Sequence, residues 1–115
     1  ELIDKITILQ IKTQHLQGTA LGNVKKELVT LENTLNKLQI NIDPNLIQRL
    51  QQVNQALWQI EDDIRDKEHN KDFGDSFVGL ARSVYQQNDR RAAIKKEINT
   101  IYGSIITEEK SYTNY

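Results

Sequence analysis

The amino-acid sequence predicts an all-α domain, an antiparallel bundle of about four helices with a long C-terminal helical hairpin. Three observations support this fold class. Apolar residues recur at alternating spacings of four and three, the only proline follows a residue that often caps helices, and short polar connections favour antiparallel neighbours. The 115 residues are enough for one domain with one core, and we expect residues 1–115 to form it.

The first predicted helix occupies the N-terminal stretch ELIDKITILQIK, whose apolar residues lie on two faces. Leu2, Ile6 and Leu9 share one face of a helix, whereas Ile8 and Ile11 lie almost opposite. A helix that is apolar on two faces is usually buried between neighbours. The β-branched run within the stretch leaves a strand as the alternative.

The second predicted helix runs from about Asn23 to Ile42, after a connection bracketed by Gly18 and Gly22. It carries an unbroken heptad pattern. The pattern consists of Val24, Leu28, Leu31, Leu35, Leu38 and Ile42.

The third predicted helix starts at Pro44, because Asp43 suits an N-cap and proline suits the first helical position. It is expected to continue through Lys67. The same heptad pattern appears in it, at Leu46, Leu50, Val53, Leu57, Ile60 and Ile64. A seam this regular can serve an intermolecular coiled coil, but the short loops favour an intramolecular bundle and leave dimerisation open.

The last predicted helix runs from Phe77 to about Tyr102, with Gly103 at the C′ position. Residues 104–115 are expected to form a tail that is docked or partly disordered. The chain has no methionine, so we expect that N-terminal residues of the natural protein precede Glu1.

Composition excludes several classes of function. The formal net charge is −1, whereas a nucleic-acid-binding protein is expected to concentrate an excess of Lys and Arg on one face. No apolar run is long enough to span a membrane, and the lack of cysteine favours a cytoplasmic protein. No metal, phosphate-loop or catalytic motif stands out, so the sequence predicts no cofactor and no metal, and it favours a non-enzymatic role.

Polar residues interrupt the heptad pattern of the last helix. The heptad pattern can be drawn along this helix in two ways, and Arg91 faces inward in both. A buried guanidinium needs a carboxylate, carbonyl groups or a bound anion as its partner. The third helix offers polar partners beside its apolar seam if the hairpin folds about Phe73. The predicted polar cluster comprises Trp58, Glu61, Arg65, Arg82, Tyr85, Asn88, Arg91 and Lys95.

This cluster has two interpretations. One is a satisfied internal network that sets the helix register. The other is a pocket in which Arg82, Arg91 and Lys95 bind a small anionic ligand, with Trp58 or Tyr85 against its apolar part. Glu61 is then a possible acid or base.

Four blocks of the sequence resemble an uncharacterised family of small helical domains from bacteria and their phages. The blocks are ELIDKITILQIK, VNQALWQIEDDIRDKE, FVGLARSVYQQNDRRAAIKKEIN and EEKSY, and together they span nearly the whole chain. The resemblance implies an association with glycosyltransferase-like or tetratricopeptide-repeat proteins, and hence a link to surface-polysaccharide biosynthesis or protein assembly. It implies no established activity.

The sequence therefore favours an uncharacterised helical module that binds another protein or associates with itself, as a possible homodimer. The alternative is a domain that binds a small anionic ligand, or an enzyme that acts on a phosphorylated or sugar-nucleotide compound.

Overall fold

The structure is a computed structural model that describes residues 1–110, without the side chains of residue 104 and residues 107–110. It contains four helices and, within the described residues, no strand, which confirms the predicted all-α class. The helices are α1 (Leu2–His15), α2 (Gly18–Lys37), α3 (Pro44–His69) and α4 (Asp75–Lys110).

Two local predictions are confirmed at the helix starts. The N-terminal stretch is helical rather than extended, and both of its apolar faces are covered, since Leu2, Ile6 and Ile11 are buried and Ile8 is half-buried. The α3 helix begins at Pro44, and the carboxylate of Asp43 caps it by accepting a hydrogen bond from the backbone N–H of Asn45 at 2.9 Å.

Two predicted boundaries of α2 are wrong. The helix begins at Gly18 instead of Asn23, and it ends at Lys37 instead of Ile42. Two residues after Lys37 the chain turns out of the helix at Gln39, which has a positive φ of 54°. The heptad pattern continues beyond this point because Ile42 still enters the core from the loop, and apolar spacing alone did not reveal the break.

The predicted end of the last helix is also wrong, since α4 passes through Gly103 and continues to Lys110. Glycine in a helix interior costs about 1 kcal/mol relative to alanine. Tyr102 packs against the core and Ile106 is buried in it, so tertiary packing on both sides of Gly103 offsets this cost. The predicted tail thus begins as helix, and its residues 111–115 lie outside the described part of the chain.

The four helices form two hairpins. Lys5 of α1 pairs with Glu27 of α2 at 3.0 Å, so the first hairpin folds about Leu16. In the second hairpin, Arg49 of α3 pairs with Glu97 of α4 at 2.8 Å, and these residues are equally distant from the tip residue Phe73. The register assumed from the sequence is therefore the register of the structure.

The α1–α2 hairpin packs against only one half of the α3–α4 hairpin. The fully buried residues of α3 lie between Leu46 and Leu57, and those of α4 begin at Ile94. The hydroxyl of Tyr102 fastens α4 to the loop before α3, since it accepts from the backbone N–H of Asp43 at 3.0 Å and donates to the carbonyl of Asn41 at 3.3 Å.

The other half of the second hairpin projects from the bundle. We call residues 62–87 the distal arm; each of them is half-buried or exposed. The radius of gyration of the Cα atoms is 16.3 Å, whereas a compact chain of this length is expected to have about 13 Å. The arm accounts for an elongated shape with extents of 48 × 35 × 23 Å.

Candidate functional site

A buried ion pair joins the first and last helices. Asp4 lies in the first turn of α1 with only 5 % of its side chain exposed, and Arg91 of α4 meets it. Nε of Arg91 donates to Oδ1 of Asp4 at 3.0 Å, and Nη2 donates to Oδ2. The two parallel hydrogen bonds make this a bidentate pair, which fixes both the position and the orientation of the guanidinium.

Two neutral polar residues complete the surroundings of Asp4. Nδ2 of Asn54, on α3, donates to Oδ1 of Asp4 at 3.0 Å and to Oγ1 of Thr7 at 2.8 Å. The hydroxyl of Thr7 in turn donates to the backbone carbonyl of Asp4 at 2.7 Å. Asn54 and Thr7 are themselves buried, so this network ties α1 to α3 and α4 at one point.

A second cation lies at the edge of the network. Nζ of Lys95 is 2.9 Å from Oε1 of Glu1 and 3.7 Å from Oδ2 of Asp4. Lys95 and Arg91 lie one helical turn apart on α4 and face the same carboxylate. Arg91, which was predicted to face inward, and Lys95, which was predicted to belong to the polar cluster, are therefore both matched by acidic residues at the start of α1.

The charges of this network perturb its titration. Burial raises the pKa of Asp4, but the hydrogen bonds from Arg91 and Asn54 and the charges of Arg91 and Lys95 outweigh it, so that the pKa lies below its usual value. The hydrogen bond to Asp4 raises the pKa of Arg91, although burial opposes it, and the charges of Asp4, Glu1 and Glu61 add to the increase.

The lowered pKa of Asp4 predicts how stability depends on pH. Because the folded state holds this carboxylate ionised more strongly than the unfolded state, its contribution is complete above the unfolded pKa of about 3.9 and is lost as pH falls through the lower folded pKa. We expect the difference in unfolding free energy between the wild type and Asp4→Asn to be constant from pH 7 to about pH 5 and to shrink in stronger acid. Urea unfolding of both proteins across this range measures it, and a difference that grows in acid would contradict the assignment.

Four of the predicted cluster residues line one cavity beside the ion pair. Trp58 and Glu61 of α3 and Asn88 and Arg91 of α4 meet there, and α1 closes the third side. The cavity has a volume of about 220 Å³. The ring of His15 stacks on the indole of Trp58 with their centroids 4.7 Å apart and an interplanar angle of 20°.

The other predicted residues do not join this cavity. Arg65 is exposed and pairs with Asp62 on its own helix at 3.3 Å. Arg82 and Tyr85 are also exposed. Arg82 lies nine residues before Arg91, which places the two on opposite sides of α4 about 13 Å apart along its axis. The structure therefore does not bring Arg82, Arg91 and Lys95 together, and the binding of an anion by this cluster stays a prediction.

Sequence reasoning missed Asp4 as the partner of Arg91. A signal for it exists, because Asp4 continues the second apolar face of α1 at helical spacing, through Ile8 and Ile11 to His15. An acidic residue on an inward face requires a cation, just as Arg91 on the inward face of α4 requires an anion. Matching these two requirements would have paired them.

Fold and site together define a small all-α domain with a polar network at its centre and a projecting helical hairpin. No helix among residues 1–110 is long and apolar enough to cross a membrane. The chain belongs to the family described as "Family of unknown function (DUF6165)", whose model matches residues 1–115. The searches of curated proteins and of solved structures gave no significant match.

Proposed function

We propose that this protein is a self-associating helical module, in which the distal arms of two copies pack together to form a four-helix bundle. The observation that carries the proposal is the uncovered half of the α3–α4 hairpin. Two helices packed only on each other bury a single shared strip, so apolar residues on their outer faces need a further partner.

The distal arm presents such apolar residues. Val78 and Tyr85 lie seven residues apart on one face of α4, and they are 50 % and 54 % exposed. At the tip, Phe73 is 52 % exposed and contacts Phe77 edge to face, with ring centroids 5.3 Å apart. Val78 and Tyr85 form an apolar stripe along one side of α4, and the aromatic pair lies at the tip of the arm, where the α1–α2 hairpin does not reach.

Charged side chains beside this stripe support a second copy as the occupant. Residues 61–68 of α3 carry five acidic and two basic side chains, whereas Arg82 is the one charged side chain between residues 76 and 87 of α4. Asp66 and Glu68 form no ion pair within residues 1–110, and neither does Arg82. A patch with acids on one helix and a base on the next is complementary to itself after a twofold rotation.

In the proposed dimer, α3 of one copy lies beside α4 of the other, so the acidic side chains of each α3 lie near the basic Arg82 of the other copy. Antiparallel four-helix bundles have this neighbour arrangement, with apolar residues inside and charged pairs at the edges. The two α1–α2 hairpins then lie outside the shared bundle, and the Asp4–Arg91 network keeps each of them attached to its own hairpin.

Sedimentation equilibrium of the whole chain tests the proposal. We expect the wild type to be dimeric and Val78→Glu to be monomeric, because a carboxylate would be buried in the apolar stripe. Val29→Glu is the matched control, since Val29 of α2 is 56 % exposed and lies outside the arm. We expect this variant to remain dimeric.

Two results would refute the proposal. A monomeric wild type would show that the arm does not bind a second copy. The apolar stripe of the arm would then be a binding surface for a helix of another protein. Equal dissociation of the Val29→Glu and Val78→Glu variants would show that the arm is not the interface. Circular dichroism of each variant verifies that the monomer is still folded.

A further inference from the structure

We infer that the open groove between α3 and α4 is a docking site for an acidic amphipathic helix of another protein. The groove starts at Gln87, where the distal arm ends, and runs to Ile101. The inference is therefore independent of the self-association proposed for the arm. It rests on the course of the groove, on exposed apolar side chains at one end of it and on the charges along its rim.

The groove is continuous along the hairpin. Its first part has a volume of about 420 Å³ and its second part about 540 Å³, and Arg49 of α3 and Ala93 of α4 line both parts. No residue of α1 or α2 lines either part. From Gln87 to Ile101 the groove follows α4 for about 21 Å, which is the length of a helix of about 14 residues.

Small side chains leave room in the first part of the groove. Val53 of α3 and Ala93 of α4 are equally distant from the tip of the hairpin and so lie at the same level, and Ala56 lies one turn nearer the tip. The buried Val53 and Ile94 provide an apolar floor. A large apolar side chain of a third helix can enter beside the two alanines, as a knob enters a hole.

Exposed apolar side chains mark the other end of the groove. Ile101 lines the second part and is 59 % exposed, and Ile105, one turn further along α4, is 41 % exposed. The buried Leu46 of α3 lies in the same part. Apolar side chains that remain exposed beside a groove are typical of a surface that binds another protein.

The free charges on the rim are positive. Arg90 lines the first part and Lys96 the second, about 9 Å apart along α4. Neither forms an ion pair within residues 1–110. The acids of the groove are engaged, since Glu97 pairs with Arg49 at 2.8 Å and Asp43 caps α3. Acidic residues beside the apolar stripe of a partner helix therefore match this rim, whereas basic residues are repelled.

The symmetry of these surfaces favours a different protein over a second copy. The acidic stretch of this chain, residues 61–68, is a separate surface from the groove. A contact between the acidic stretch of one copy and the groove of the next would be head-to-tail, and such contacts continue into rings or open chains.

A synthetic peptide tests the docking site. The probe is a fluorescein-labelled amphipathic helix of about 14 residues, with leucines on one face and glutamates beside them. Fluorescence anisotropy follows its binding to the whole chain. One control peptide has lysine in place of each glutamate, and another has the same composition with the leucines spread around the helix. We expect saturable binding of the acidic peptide and at least about tenfold weaker binding of each control, a difference of 1.4 kcal/mol.

Variants locate the site. Arg90→Glu should weaken binding of the acidic peptide at least about tenfold and strengthen binding of the lysine peptide. Lys25→Glu, on the exposed face of α2, should bind both peptides like the wild type. Ile101→Glu should also weaken binding at least about tenfold, whereas Val29→Glu, with a similar exposure of 56 %, should not. Circular dichroism verifies that each variant is folded.

Several results would overturn the inference. They are the absence of saturable binding by the acidic peptide, equal binding of either control peptide, and wild-type affinity in folded Arg90→Glu or Ile101→Glu. Sedimentation equilibrium of Ile101→Glu adds a further one. If this substitution converts a dimer into monomers, the groove is occupied by a second copy and not by another protein.

Discussion

Replacing Arg91 by leucine is expected to lower the free energy of unfolding by about 3–5 kcal/mol. The reason is the environment of its partner, since Asp4 keeps its carboxylate almost completely buried and receives both of its charged hydrogen bonds from Arg91. Without the guanidinium, only Asn54 still donates to that carboxylate, and Lys95 lies 3.7 Å away. Urea denaturation measures the loss.

The neighbouring residue provides a matched control. Arg90 has the same chemistry but is exposed, so Arg90→Leu should change stability by no more than about 0.5 kcal/mol. If both variants lose the same small amount, the ion pair contributes little and the polar layer is not an internal network.

A double variant separates the ion pair from the packing around it. Removing both charges, as in Asp4→Leu with Arg91→Leu, leaves no uncompensated buried ion, so it should cost less than the sum of the two single changes. The difference between the summed costs of the two single variants and the cost of the double variant measures the coupling between α1 and α4 at this ion pair. Strict additivity would show that the two side chains do not interact in the folded protein.

The second large effect is expected for Leu50→Ala, which should cost about 2–5 kcal/mol. Leu50 of α3 is 0 % exposed and belongs to the core cluster that all four helices share. Truncating it removes contacts on every side and leaves a cavity, because well-packed surroundings collapse only in part. Chemical denaturation monitored by circular dichroism measures this loss.

The control for the core is a leucine outside it. Leu21 of α2 is half-buried and is not part of the core cluster, so Leu21→Ala makes the same chemical change with less lost contact. Its cost should be clearly smaller than that of Leu50→Ala. An equal or larger cost would show that the centre of the core does not lie at Leu50.

Much of the fold was predictable because it depends on local periodicity. The heptad patterns of α2 and α3 indicated which faces are apolar, and Asp43 with Pro44 marked a helix start that the structure confirms. The helix ends were less predictable. The last helix passes through Gly103 because Tyr102 and Ile106 pack on the core, and a glycine read in isolation carries no information about such packing.

The candidate site was predictable only in part. Folding the predicted hairpin about Phe73 grouped Trp58 with Asn88, and both line the cavity with Arg91. The same reasoning grouped Arg82 with Arg91, although nine residues of helix turn the two side chains to opposite sides. The prediction grouped these residues by their position along the hairpin and did not compare their directions around α4, which helical spacing alone separates.

Three features follow from the spacing of residues along single helices: the all-α class, the amphipathic character of the helices and the inward direction of Arg91. The partner of Arg91 could not be found in this way, because Asp4 lies 87 residues away and meets it only when the helices pack. The same packing leaves the distal arm uncovered. The helix α1 is about 21 Å long and is too short to cover α3, which is about 39 Å long. The position at which the short helix crosses the long hairpin depends on the packing of all the helices together.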